Sequence, residues 1–319
     1  MRYLSRQQVE ETGISMAEMI EAVEAMFRDK GHGRVEMPPK PGIHTRPDAF
    51  IHAMPAYLPG AGAAGMKWIS GYPANQARGL PYISGLMILN DDDTGIPIAV
   101  MDATWLTAMR TGAATAVAAK YLARASSSRV GILACGVQGR SNLTALAEQF
   151  ELETVRAFDV DADAARSYAH DMGATLGLEV AVVDEPQAAV AEMDIVVTSG
   201  PILKKPSPAI AAGWLEPGSF ACPLDFDSYW QGDALAEADK LCTDDADQLR
   251  YYRDDGYFQA TPMPCADLGE VVAGRKPGRE SDQERIISIN LGLALADLAV
   301  AALIHRAALE KDIGTDLET

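Results

Sequence analysis

After the serines at Ser126–Ser128, short apolar runs alternate with helix-patterned stretches, and no other feature narrows the fold of this chain so far. "RVGILACG" (129–136) is a continuous apolar run, the pattern of a strand buried on both faces in a parallel sheet. A helix pattern follows, then "ETVRAFDVD", a second helix, "LEVAVVD", a third helix, "DIVVTSG" and later "GSFACPLDF". Alternation at this pitch predicts an α/β fold with a doubly wound parallel sheet.

The chain ahead of Ser126 reads differently. "SRQQVEETGISMAEMIEAVEAMFRDKGHGR" is helical in period, with Met19, Ile20, Val23 and Met26 on one face and glycines near Gly31 and Gly33 as a stop. The Pro- and Gly-rich stretch 37–70 suits a meander of antiparallel strands. "ISGLMILNDDDTGIPIAVMD" is two strands joined by an Asp/Gly turn. "TWLTAMRTGAATAVAAKYLAR" favours helix, as does the closing "NLGLALADLAVAALIHRAALEKDIG".

Composition excludes several classes of function. A formal net charge of −18 repels phosphate backbones and anionic membranes, which argues against nucleic-acid and membrane partners. No apolar run reaches spanning length, and no secretory signal is visible. The four cysteines are widely spaced and the five histidines show no ligand spacing, so neither a disulfide framework nor a metal site is expected. Reduced thiols in a cytoplasm are the plain expectation.

Chemistry is first suggested by "VGILACGVQGRSN" (130–142), a strand running through a glycine-bearing turn into a helix. Such a turn sets backbone N–H groups and a helix N-terminus against a pyrophosphate. In the window Ala134–Gly139 the central Gly136 and the last Gly139 are present, but the first glycine is Ala134. Alanine serves there only if the turn keeps φ negative. By itself the window fits a cofactor loop or an ordinary strand–turn–helix. Asp159 and Asp161, ending the second strand, are acceptors for a ribose diol and place NAD ahead of NADP; a helix cap is the plainer role for Asp161 or Asp163.

Three charges sit where apolar sequence is expected. Lys67 in "GMKWIS" must snorkel to solvent or find a partner. Arg110 in "LTAMRTGAA" is either half of a buried ion pair or a fork for a substrate carboxylate. "PLDFDSYW" closes the last expected strand of the sheet with Asp225 and Asp227, which alternation points the same way; they serve either proton transfer or turn capping.

"MPAYLPG", "GMKWIS", "LNDDDTGIPIAVMDATWLTAMRTGAATAVAAKYLA", "GVQGRSN", "LGEVVAGRKPGR" and "GLALADLAVA" together resemble the ornithine cyclodeaminase/mu-crystallin family. The tail and "YYRDDGYF" look more like its tyramine oxidase-related subgroup. The resemblance implies a split α+β substrate-binding and dimerisation domain (1–125 and 285–319) around an NAD(P)-binding Rossmann domain (126–284), assembled as a homodimer. It implies hydride exchange with the α-carbon of a small amino or imino acid, as in imine and ketimine reductases and amino-acid dehydrogenases. Ornithine cyclisation with internally recycled NAD, and cofactor or ligand binding without catalysis, are the alternatives.

Carried over residue by residue, the resemblance makes Lys67 and Asp227 catalytic, with Asp225 as the fallback acid. Arg110 holds the substrate carboxylate. Thr111, Gly136, Val137 and Gln138 contact the cofactor, joined by Thr198 and Ser199 at the end of "DIVVTSG". Three positions depart from the family pattern. Lys40 in "MPPK" replaces a second carboxylate-binding arginine. His52 replaces the glutamate that recognises a distal amine, which disfavours ornithine. Asn290, in "SINLG", stands in place of a hydroxyl near the substrate.

Overall fold

The computed structural model describes residues 1–318. In chain order the first half comprises β1 (Arg2–Leu4), α1 (Arg6–Glu11), α2 (Met16–Gly31), β2 (Gly42–Arg46), β3 (Ala49–Leu58), β4 (Ala63–Gly71), β5 (Ile83–Asn90), β6 (Pro97–Asp102) and α3 (Thr104–Leu122). The alternating part comprises β7 (Arg129–Leu133), α4 (Val137–Ala147), β8 (Thr154–Phe158), α5 (Ala162–Leu176), β9 (Val180–Val182), β10 (Ile195–Thr198), β11 (Phe220–Pro223), α6 (Gly232–Ala236), β12 (Lys240–Thr243), α7 (Ala246–Asp254), β13 (Ala266–Asp267), α8 (Leu268–Val272) and β14 (Ile286–Ile289). It closes with α9 (Ala294–Glu310) and β15 (Thr315–Asp316). Internal contacts divide the chain into a first unit, Met1–Arg110 with the stretch from Leu293, and a second, Thr111–Gly292. The divisions fall within α3 and just before α9, whereas the sequence changes character at Ser126.

The first unit holds a seven-stranded sheet in the order β15-β1-β6-β5-β4-β3-β2. Strands β2 to β6 form the antiparallel meander expected of the Pro/Gly-rich stretch and its hairpin. Helix α9 packs on α2 and on β3, β4 and β5. It is apolar almost all round, as a helix surrounded by protein must be. Period-two alternation puts Met54, Lys67, Ile69, Met87 and Met101 among the buried residues, while Trp68 and Leu86 are each 45% exposed. The opening segment is two helices rather than one. Gly13 takes a φ of +67° between them, and Ser5 and Ser15 each close a capping box that starts a helix.

The second unit holds an eight-stranded sheet in the order β13-β12-β14-β11-β10-β7-β8-β9, with every pairing parallel. The chain winds outward from β7 to β9, then returns to β10 on the other side of β7. That reversal opens a crevice beyond the carboxyl ends of β7 and β10, where such sheets take ligands. Two expectations are corrected. The third helix is only a 3₁₀ turn at Pro186–Ala189, because Arg156 takes the Ala188 and Ala191 carbonyls that a helix would use and Glu192 adopts a φ of +63°. "GSFACPLDF" is also not the last strand. The fully buried "IISI" of β14 lies between β11 and β12, deep in the sheet, within the tail grouped with the split domain from 285.

Candidate active site

The turn after β7 is built against the expectation for its alanine. Ala134 has a φ of +77°, a conformation that costs an L-residue roughly 1–2 kcal/mol. Three hydrogen bonds hold it there. Its N–H donates to the Phe158 carbonyl (2.9 Å), its own carbonyl accepts from Ser199 Oγ (3.1 Å), and the Cys135 N–H donates to Asp159 Oδ2 (2.7 Å). Asp159 and Ser199, both expected at the cofactor, thus fix the loop that would receive it.

Gly136 is the N-cap of α4 and brings no side chain to that helix end; a Cβ there would meet nothing within 4 Å. The first-turn N–H groups therefore face an open cradle with the helix dipole behind them, which suits a pyrophosphate. Val137 beside it is 67% exposed. Gly139 does the opposite job: a Cβ there would lie 2.6 Å from the Ala134 carbonyl oxygen, so glycine lets helix and turn pack closely. Gln138 points inward, its side-chain oxygen accepting from Ser141 and Asn142 (3.4 and 3.5 Å). Thr111, on α3, precedes Gly112, whose missing Cβ admits the backbone of Ser141. Asp159 Oδ1 accepts from the Asp161 N–H (3.0 Å), and Asp161 itself caps α5 through Asp163 and Ala164. The plainer role thus belongs to Asp161, and Asp159 stays with the loop.

Asp225 and Asp227 do not share a strand face. β11 stops at Pro223, and Phe226 between the two acids has a φ of +62°, which turns them apart. Asp225 is fully buried and accepts from Thr198 Oγ1 (2.9 Å) and the Gly200 N–H (3.1 Å); burial raises its pKa to about 7 against those bonds. Asp227 is less enclosed. It accepts from Thr261 Oγ1 (2.9 Å), and burial again raises its pKa. Thr198 also accepts from the Trp230 indole (3.1 Å) and is committed to this network. Asn290 follows β14, donates its N–H to the Pro223 carbonyl (3.1 Å) and accepts from Ser288 Oγ (2.9 Å), while its buried side-chain nitrogen has no partner among the described residues.

In the first unit, Lys67 and Arg110 come together on one carboxylate. Lys67 does not snorkel: it is 1% exposed, on the helix-covered side of β4, with Nζ 2.6 Å from Asp297 Oδ2 and 3.4 Å from Thr107 Oγ1. Arg110 Nε lies 2.7 Å from Asp297 Oδ1. The fork nitrogens Nη1 and Nη2 of Arg110 make no hydrogen bond among the described residues, although the residue is only 5% exposed. Both expectations for Arg110 are thus met in one side chain: Nε is half of a buried pair, and the fork remains for a second carboxylate.

Asp297 is the residue that the sequence reading passes over, although the signal was present. It is the one charge in "LGLALADLAVAALI", and a carboxylate in so apolar a helix is costly to bury without a cation. Lys40 and His52 belong to the same electrostatic neighbourhood. Burial and the charges of Lys40, His44 and Lys67 push His52 down to about 3, so its imidazole is neutral. It stacks on Phe50 at 4.3 Å between ring centroids.

Among the described residues of this unit the buried charges are three cations, Lys40, Lys67 and Arg110, and one carboxylate, Asp297. An excess of buried positive charge is costly unless an anion joins it, so this cluster is chemically suited to a small carboxylate. No group of three or more His, Cys, Asp or Glu side chains among the described residues is placed to hold a metal ion. No described helix is long and apolar enough to cross a membrane.

Comparison with known proteins agrees with this chemistry. The chain is 37% identical to an alanine dehydrogenase of Archaeoglobus fulgidus over 326 residues, 99% of this chain and 97% of that one. The solved structure of Thermococcus litoralis Δ1-pyrroline-2-carboxylate reductase, in complex with NADH and L-proline, superposes with a TM-score of 0.91 at 33% identity, covering 99% of this chain and 100% of the other. An archaeal alanine dehydrogenase dimer with bound NAD gives 0.88 at 36% identity, covering 99% and 98%. The sequence pattern of the ornithine cyclodeaminase/mu-crystallin family matches residues 2–312. With that pattern spanning nearly the whole chain and relatives above one-third identity along their length, the protein is a member of the ornithine cyclodeaminase/mu-crystallin family.

Proposed function

We propose that the protein is an NAD(P)H-dependent oxidoreductase that exchanges hydride with the α-carbon of a small amino or imino acid, as an imine reductase or amino-acid dehydrogenase. The observation that carries this reading is the excess of buried cations around Asp297, with the Arg110 fork left for a second carboxylate. Relatives whose names specify alanine and pyrroline-2-carboxylate support a substrate of that size.

In this reading the open N-terminus of α4 at Gly136, with Val137, Gln138, Thr111 and Ser199, holds the cofactor pyrophosphate, and Asp159 receives the ribose diol of NAD in preference to NADP. The nicotinamide supplies or accepts the hydride when bound. Arg110, with Lys40, fixes the substrate carboxylate and so orients the α-carbon, which prepays orientation. Lys67 donates a hydrogen bond to the substrate nitrogen or orients a water beside it. Asp227, the less enclosed acid, moves a proton to or from that nitrogen; its raised proton affinity suits the task. Asp225, locked by Thr198 and Gly200, shapes the turn that presents it. Asn290 offers its buried side-chain nitrogen to the substrate. A neutral His52 provides no negative charge for a distal ammonium group, so ornithine is a poor substrate.

The protein works as a homodimer in the cytoplasm. The face of the first unit's sheet that carries Trp68 and Leu86 is apolar, and a second copy covers it. The cysteines are free, as a reducing compartment keeps them. The test is NADH and NADPH consumption by the purified protein with Δ1-pyrroline-2-carboxylate, Δ1-piperideine-2-carboxylate and pyruvate plus ammonia. Turnover of at least one with NADH is expected; a protein inert toward all three with either cofactor is not this enzyme.

A further inference from the structure

We infer that Asp297 is a positioning residue, whose single carboxylate sets both the proton affinity of Lys67 and the direction of the Arg110 fork. The inference rests on the reading of Lys67 and Arg110 as substrate-facing groups. It adds a residue with no reacting atom of its own.

The geometry is specific. One oxygen of Asp297 lies 2.6 Å from Lys67 Nζ and the other 2.7 Å from Arg110 Nε, and the acid is 0% exposed on α9. Because the contact uses Nε and not the fork, it fixes the guanidinium plane while leaving Nη1 and Nη2 to a ligand. A lysine on β4 and an arginine on α3 are thus aimed by an acid from a third element.

The groups that face Lys67 are Asp297 from α9, Arg110 and Thr107 from α3, Lys40 from the stretch before β2, and His52 from β3. Burial draws the Lys67 ammonium down to about 7, with Arg110 and Lys40 pushing the same way and Asp297 as the opposing influence. Asp297 is the one acid among these facing groups, so its removal leaves only influences that favour the neutral amine. An amine that loses its proton near neutrality exchanges it readily, and without Asp297 it would be deprotonated throughout the working range.

The test reads the lysine itself. In protein carrying isotope-labelled lysine, the Lys67 side-chain resonance is assigned by its loss in Lys67→Met, and its titration is followed in the full chain and in Asp297→Asn. The expected result is a midpoint lower by about one unit or more, a tenfold loss of proton affinity. The alkaline limb of kcat/KM against pH moves by the same amount, and KM rises at least tenfold as Arg110 loses its anchor. A folded Asp297→Asn protein with an unmoved midpoint overturns the inference. Where the amide variant does not fold, Asp297→Glu keeps the charge and displaces it: the midpoint stays within about half a unit while KM rises, and an unchanged KM overturns the inference. The resonance reports proton affinity whether or not an imine is reduced. A shifted midpoint in an inert enzyme therefore defeats the functional reading alone, and an unshifted one in an active enzyme defeats this inference alone.

Discussion

The cofactor loop of the second unit and the cation cluster of the first prepare for anions by opposite means. At the loop the binding groups are backbone N–H donors at an open helix end, and side chains such as Asp159 and Ser199 work behind them to fix the turn. In the cluster the binding groups are the side chains, and the backbone only carries them into a buried place. Backbone donors tolerate changes of side chain as long as the chain path survives. Side-chain forks tolerate changes of path only within the reach of their own carbon atoms. The loop is therefore sensitive to shape and the cluster to chemical identity.

The largest effect expected from this contrast is in the cluster. Arg110→Lys keeps the charge and removes the fork, and should lower kcat/KM by about three orders of magnitude with NADH affinity unchanged, measured by steady-state kinetics and fluorescence titration. Parallel losses of substrate and NADH binding would break the contrast. Next comes Asp227→Asn, which should lower kcat by about 10²-fold or more through loss of proton transfer. Gly139→Val acts on shape alone. It drives a side chain into the Ala134 carbonyl and should weaken NADH binding about tenfold and stability by about 1–3 kcal/mol, read by titration and denaturant unfolding.

A smaller effect concerns pH. The Asp225 pKa is about 7 in the folded chain and near 4 when unfolded. The stability this acid contributes is complete below about pH 4 and is lost as pH rises through about 7. Asp225→Asn should remove that fall, visible as a flatter dependence of the unfolding midpoint between pH 5 and pH 8, roughly the span around its titration. The smallest effect is Ala134→Gly, which relieves a positive φ and should stabilise by up to about 1 kcal/mol with catalysis unchanged.

Legibility in the sequence follows the same division. Period and glycine spacing are local signals, so the meander, the hairpin, the parallel strands and the open cradle at Gly136 could be read directly. The φ of Ala134 could not, because hydrogen bonds from Phe158, Ser199 and Asp159 decide it, all remote in sequence. Asp225 and Asp227 look like alternating strand residues, but Pro223 ends β11 and the left-handed Phe226 separates them. β14 is a four-residue apolar run beside a much longer apolar helix, and only its neighbours β11 and β12 reveal it as a central strand. Lys67 and Arg110 were visible as misplaced charges; the acid that explains both sits 187 residues beyond Arg110.

The most direct measurement compares two ligands of one shape on the NADH-loaded protein by calorimetry: pyrrole-2-carboxylate and pyrrole-2-carboxamide. If the buried cations await a second carboxylate, the acid binds at least about 100-fold more tightly than the amide, the scale of a charge-assisted fork, and Arg110→Lys erases most of that preference. Equal affinity for acid and amide, or a preference untouched by Arg110→Lys, would contradict the account.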